Sequence, residues 1–308
     1  VPELVVLLAG NPNSGKSSLF NWMAGAHQHV GNYPGVTVEK KSATFLRDGM
    51  RIELVDLPGV YSLLAASPEE AIARDEILGG AAGVVIQVLD ATNLERNLHL
   101  TAQLTEMGVP VVYALNMSDE AEASGLKFDL ELMAGLLGGP VVPTNGSNGD
   151  GVEGLIAAAQ LVAAGGQICT GRVYYGVDLE SAIAGVAEQF EGDDAVSARR
   201  RAVALLDGIP DPHAPAGARE AAAREAARLE KRGGRPVDVQ IAEARYGFAL
   251  GVATEVARES AHHVMRARTL HLDSLLLHRV WGLPIFIFLM WGVFNLVFAL
   301  GEPPMQWI

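Results

Sequence analysis

Between residues 1 and 165 the chain alternates short, dense apolar runs with stretches of helical spacing. The runs at 4–9, 52–55, 84–89, 111–115 and 141–142 are rich in β-branched residues, the pattern of strands covered on both faces. Arg47-Asp48-Gly49 is a hairpin signal joining a further strand at 38–45 to the one near Ile52. Ser67-Pro68-Glu69-Glu70 marks a helix start, with Ser67 as cap, Pro68 at the first position and Glu70 completing a capping box. Strands alternating with helices predict a mostly parallel sheet of these six strands, covered on both faces.

After Gly165-Gly166 the pattern changes. Residues 178–270 are rich in Ala, Glu and Arg, and their spacing predicts helices over 179–190, Ala195–Leu206, 216–231 and 237–266. Gly208, Pro210 and Pro212, then Gly233, Gly234 and Pro236, separate them. A third pattern follows: 280–300 carries no charge, and Asn295 is its only strongly polar side chain. A helix of that length reaches about 30 Å, the hydrocarbon thickness of a bilayer. His278 and Arg279 on its N-terminal side favour a cytoplasmic location for what precedes it. The expected division is therefore a nucleotide-binding domain at 1–166, a small all-α domain at 167–270, and a linker with one transmembrane helix at 271–308. Residues 1–9 show no signal peptide, and one bare hydrophobic helix near the C-terminus suggests a piece of a polytopic membrane protein.

Bulk properties narrow the field. The net charge of −13 argues against binding nucleic-acid phosphates. A single cysteine, Cys169, excludes an internal disulfide framework and fits a reducing compartment. The eight histidines, His262-His263 included, lie in no convincing ligand spacing.

Three motifs carry chemistry. Gly10-Asn11-Pro12-Asn13-Ser14-Gly15-Lys16-Ser17, between a strand and a helix, matches G-x-x-x-x-G-K-[ST]. Its glycines let backbone N–H groups wrap phosphates, Lys16 reaches the β- and γ-phosphates, and the Ser17 hydroxyl ligates Mg²⁺. Asp56-Leu57-Pro58-Gly59 follows the next buried strand, about 40 residues on. Its carboxylate would hold Mg²⁺ through water, and the Gly59 amide the γ-phosphate. Asn116-Met117-Ser118-Asp119 closes another strand. A buried aspartate there accepts from guanine N1–H and the exocyclic amine, whereas adenine leaves it unpaired at a cost of about 2–4 kcal/mol.

In this order the motifs identify a resemblance to the ferrous-iron transport protein B (FeoB) family, over nearly the whole chain. It rests on GNPNSGKSSLFN at 10–21, VGNYPGVTVEKK at 30–41, DLPGVYSL at 56–63, DATNLERNLHLTAQL at 90–104, LNMSD at 115–119, ARYGF at 244–248 and the apolar segment at 278–301. The resemblance implies an α/β P-loop NTPase of the Ras-like G-domain type, a helical domain that stabilises GDP, and the first transmembrane helix. It implies GTP and GDP as ligands, Mg²⁺, slow hydrolysis, and ferrous-iron transport at the cytoplasmic face of a bacterial inner membrane. Partners would be the rest of the same polypeptide in the membrane, a small cytosolic accessory protein and a homo-oligomer, with no nucleic acid.

By the same resemblance Thr37 is the switch I threonine that meets Mg²⁺ and the γ-phosphate, with Gly35 and Val36 beside it. Ser18 extends the phosphate loop, and Met117 packs on the base. Thr144-Asn145-Gly146 stands where the family's base-binding loop usually reads Ser-Ala. Val60 stands where many small GTPases have a water-orienting glutamine. Asn13, with backbone carbonyls around Gly31 and Tyr33, would hold a K⁺ ion in the place of an arginine finger. The catalytic set is then Asn13, Lys16, Thr37 and Gly59. Two other readings stay open, a nucleotide sensor without sustained turnover and a soluble RNA- or ribosome-associated GTPase.

Overall fold

The computed structural model describes residues 3–25, 28–33, 36–64, 67–79, 82–165, 171–259 and 282–305. Gly35, Gly166, Cys169, His262, His263, His278 and Arg279, singled out above, lie outside the described residues. Residues 1–258 form one compact unit and 259–308 a second.

In the first unit, β1 (Glu3–Gly10), β2 (Gln28–Asn32), β3 (Glu39–Arg47), β4 (Met50–Asp56), β5 (Val84–Asp90), β6 (Val111–Asn116) and β8 (Val141–Thr144) make one sheet, in the order β2-β3-β4-β1-β5-β6-β8. A three-residue strand, β7 (Leu126–Phe128), lies outside it. The sheet has seven strands, one more than expected. The extra strand, β2, is an edge strand exposed along its whole length. Gln-His-Val-Gly-Asn has no apolar alternation to mark it, and its place is fixed by antiparallel pairing to β3. The β3–β4 hairpin turns at Asp48 and Gly49, both at positive φ, with Arg47 opposite Met50, the backbone that two-residue hairpins favour. All other neighbours are parallel.

Successive β1 side chains face opposite sides. Leu7 and Ala9 join a core with α2 (Pro68–Leu78), α3 (Leu94–Met107) and α5 (Leu130–Leu137). Leu4, Val6 and Leu8 join another with α1 (Lys16–Ala24) and α6 (Val152–Gly165). A short helix, α4 (Ser118–Ala123), follows β6. Ser67 caps α2 by accepting from the Glu70 amide at 3.2 Å, so Ser67→Ala is expected to cost about 1 kcal/mol in a urea melt.

Helices α7 (Val177–Ala187), α8 (Ala195–Leu206) and α9 (Ala216–Gly233) surround a third core. Helix α10 (Val237–Val256) serves two cores at once. Val237 and Ile241 pack with α7–α9, while Ala249, Val252 and Val256 belong to the α3 and α5 side of the sheet. It stops at Val256, short of the expected 266, because Ala257 turns extended and the Val256 carbonyl accepts from Asp129 N–H at 2.9 Å. A three-residue strand, β9 (Ala257–Glu259), follows.

In the second unit, α11 (Gly282–Met305) is a 24-residue helix. Its described side chains, at 282–295, include exposed Leu283, Phe286, Phe288, Trp291 and Phe294. Among the described residues no helix is long and apolar enough to cross a membrane.

Candidate nucleotide site

Every motif lies at the carboxyl end of a parallel strand, where open α/β sheets bind ligands. The 10–17 loop leaves β1, Asp56 ends β4, Asn116 ends β6 and Thr144 ends β8. Asn11, Pro12, Asn13, Gly15, Lys16, Ser17, Ser18 and Gly59 line an open cavity of about 430 Å³.

Steric demands fix the loop's glycines. Gly15 has φ +82°, and a Cβ there would lie 2.0 Å from Asn116 Nδ2. Asn13 also takes a left-handed backbone, φ 66°, which asparagine tolerates better than most residues. Ser14 is buried and its hydroxyl has no partner among the described residues. Such an orphaned donor at the floor of an amide-lined loop fits an oxygen-rich anion.

Lys16 is buried and donates to the Asp56 carboxylate and to the Leu57 carbonyl at 2.6 Å. Burial pushes the Asp56 carboxyl above its ordinary range, and the Lys16 ammonium offsets part of that. Leu57 N–H donates to Leu8 O at 3.0 Å and Val60 N–H to Gly10 O at 3.2 Å, so the Asp56–Val60 segment is hung on β1. A Cβ on Gly59 would touch Pro12 at 3.4 Å. Val60 is buried in the core and offers the pocket no polar atom.

The Asn116 side chain joins the phosphate loop to the base-reading loop. Its Nδ2 donates to the Ser14 carbonyl at 2.9 Å, while its Oδ1 accepts from Gly146 N–H at 2.9 Å and from Thr144 Oγ1 at 3.4 Å. Met117 has φ 59°, and Ser118 Oγ donates to the Thr144 carbonyl at 3.1 Å. Asp119 is exposed, not buried as expected, since it tops the short helix α4 at the surface. Asn145 Nδ2 holds its carboxylate at 2.8 Å.

Switch I stands apart from this cluster. Val36 and Thr37 are exposed, and among the described residues no hydrogen bond ties Thr37 to Ser17 or Asp56. Gly31 is exposed in β2, whereas the Tyr33 side chain is buried, with Lys40 Nζ 5.1 Å from its ring centre. The Tyr33 carbonyl accepts from Val36 N–H at 3.3 Å.

Four contributors lie outside the phosphate-loop, Asp56–Gly59 and Asn116–Asp119 motifs. Trp22 Nε1 donates to the Gly146 carbonyl at 3.1 Å. Asn145 steers Asp119 as described. Arg96 accepts at its carbonyl from Asn11 Nδ2 at 3.2 Å and lays its guanidinium over the Tyr61 ring at 4.3 Å. Gln103 binds both Ser62 Oγ at 3.0 Å and Leu63 N–H at 2.7 Å. Asn145 belongs to the expected base-binding stretch at 144–146, and Arg96 and Gln103 lie in the stretch 90–104 that carries the family resemblance, which gave them no role of their own.

Comparison with known proteins agrees with this arrangement. The family described as ferrous iron transport protein B matches residues 4–159, and the FeoB cytosolic helical domain matches residues 175–258. The Fe(2+) transport protein A/Fe(2+) transporter FeoB fusion protein of Porphyromonas gingivalis is 40% identical over 319 residues, covering 98% of this chain and 38% of that protein. The Fe(2+) transporter FeoB of Shigella flexneri is 38% identical over 306 residues, covering 97% of this chain and 39% of that one. The chain thus spans about two-fifths of the length of these relatives. A GDP-bound mutant of the S. thermophilus FeoB G-domain superposes with TM-score 0.76 at 36% identity, covering 83% of this chain and 100% of that one. The apo cytosolic domain of the T. maritima FeoB iron transporter gives 0.72 at 35%, with the same coverage. A Ras-like P-loop sheet carrying a helical bundle, matched along both parts by one family, places this chain in the ferrous iron transport protein B family.

Proposed function

We propose that the chain is the GTP-binding and GTP-hydrolysing cytosolic module of a ferrous-iron transporter, its nucleotide state gating or driving iron uptake. The observation that carries the reading is the Asn116 carboxamide, bonded at once to Ser14 and Gly146. One rigid side chain thereby fixes the distance between a phosphate cradle and a carboxylate that reads the purine edge. The GDP-bound relatives support guanine as the base, and the transporter relatives support iron as the cargo.

In the working cycle the 10–18 loop amides hold the α- and β-phosphates. Lys16, released from Asp56, turns its ammonium to the β- and γ-phosphates. Gly59 offers its amide to the γ-phosphate, and Thr37 must fold in from the surface with Val36. Ser17, Asp56 and Thr37 are hard oxygen donors of the kind Mg²⁺ takes, and when bound it neutralises phosphate charge. Asn13, with carbonyls of Gly31 and Tyr33, would hold K⁺, which would supply positive charge to the phosphates during hydrolysis. The division into a G domain at 1–166, a helical domain at 167–270 and a linker with a first membrane helix at 271–308 belongs to the same reading. The uncharged run at 280–300 supports its last part, while among the described residues no helix is long and apolar enough to cross a membrane. The fusion of a transport protein A to one relative supports a small accessory partner.

Calorimetry with GDP and a non-hydrolysable GTP analogue tests the core of this reading; uptake of neither by folded protein would end it. Turnover is expected to be at least about tenfold faster in KCl than in NaCl, with Asn13→Ala erasing the difference, and equal rates in both salts would remove the cation site. Buried Val60 also favours a sensor without sustained turnover, because no side chain at that position can orient water. Iron uptake into proteoliposomes carrying the full-length protein separates the two. A sensor works with the non-hydrolysable analogue, and a hydrolysis-driven transporter does not.

A further inference from the structure

A second cavity, also of about 430 Å³, lies beyond the Gly59 turn, where Leu63 and Leu64 face α2, α3 and α8. That volume is in the range of small-ligand sites. Leu63, Leu64, Met107 of α3, Val203, Ala204 and Ile209 supply its apolar wall, and Gln103, His213 and four arginines also line it. Three carboxylates line it, and each has an arginine. Asp75 accepts from Arg74 at 3.0 Å, Glu106 from Arg245 at 2.8 Å and Asp211 from Arg201 at 2.8 Å. Arg200 lines the same cavity from α8, half-buried, and among the described residues no carboxylate pairs with it. One uncommitted guanidinium at an apolar cavity complements a ligand with a greasy body and a single negative end.

We propose that this cavity binds a small amphipathic carboxylate, with its carboxylate on Arg200 and its hydrocarbon against Leu64, Met107 and Ile209. The site is distinct from the nucleotide cavity and shares no lining residue with it. It is nevertheless connected to that cavity. Gln103 lines it, and the Gln103 carboxamide grips Ser62 and Leu63, a few residues past Gly59. A ligand resting on Leu63 and Leu64 therefore favours one setting of the segment that follows Asp56. By reciprocity the nucleotide state changes the affinity for that ligand. This coupling rests on the guanine-nucleotide reading; occupancy of the cavity does not.

Octanoate titrated into the 308-residue chain in a calorimeter is the test, with octanol and acetate as probes of body and charge alone. Octanoate should bind with a dissociation constant on the order of millimolar, octanol about tenfold more weakly and acetate not measurably. Arg200→Gln should weaken octanoate about tenfold. Ala204→Met narrows the cavity while keeping the Arg200 charge and should weaken it as well. Circular dichroism melts establish that each variant is folded. No heat with octanoate, equal affinity for octanol, or unchanged affinity in a folded variant would each overturn the site. Saturating GDP and a non-hydrolysable GTP analogue should give octanoate affinities that differ about threefold or more. Equal affinities with both nucleotides bound overturn the coupling, while failure of either nucleotide to bind marks failure of the guanine-nucleotide reading.

Discussion

Arg245→Ala should lose about 3–5 kcal/mol of folding stability at neutral pH, read as a lower urea midpoint with an unchanged slope. Arg245 is almost fully buried and forms a two-pronged pair with Glu106 of α3, at 3.0 and 2.8 Å, and a third bond to Asp207 at 2.6 Å. Tyr175 adds its hydroxyl to Glu106. Alanine would leave two buried carboxylates facing each other without a cation. Burial already pushes the Asp207 carboxyl up, against the pull of Arg245. A raised carboxyl pKa means that the folded state takes up a proton more readily than the unfolded chain, so acid favours the fold at that group. The deficit of the variant should therefore shrink as pH falls toward the carboxylate range. A deficit under about 1 kcal/mol, or one that ignores pH, would mean the cluster is solvated.

Asp119→Asn is expected to weaken GDP and GTP binding by about 2–4 kcal/mol and to raise affinity for xanthosine nucleotides. The carboxylate is a double acceptor for the guanine N1–H and exocyclic amine, and an amide in its place offers a donor to one of them. Because Asp119 is exposed without the base, the penalty is felt only once the purine covers it. Asn145 keeps the carboxylate aimed, so Asn145→Ala should weaken guanine binding by a smaller amount without changing base preference. Fluorescent-nucleotide competition with GDP and XDP reads both variants, and ordinary GDP affinity in Asp119→Asn would disqualify the residue as the base reader.

Most of the sheet could be read from the sequence, because strands such as Leu7–Ala9 within β1 and β6 are buried on both faces and write uninterrupted apolar runs. The edge strand β2 could not be read, since an exposed strand owes its shape to a neighbour and not to its own side chains. The phosphate loop and Asn116 were legible for a stricter reason. Their spacing is set by bond lengths and by the backbone a phosphate requires, as Gly15 demonstrates with its lack of room for a Cβ. Trp22 and the roles of Gln103 and Arg245 were illegible because each acts on a partner far away in the chain, through contacts that no local spacing encodes; Asn145 was expected in the base-binding loop, but its bond to Asp119 was not. The surface position of Asp119 escaped for a related cause. The chemistry of base reading specifies its acceptors but not how deep the carboxylate sits before a base arrives.

The split allegiance of α10 has a practical corollary for anyone trimming this polypeptide. A fragment cut at the glycines near 165 would bare the trough that Ala249, Val252 and Val256 fill over the sheet. A bundle excised from 171 to 256 would carry that same greasy stripe into water. The shortest self-sufficient piece must reach past Val256, and heating it should give one melting step, not two.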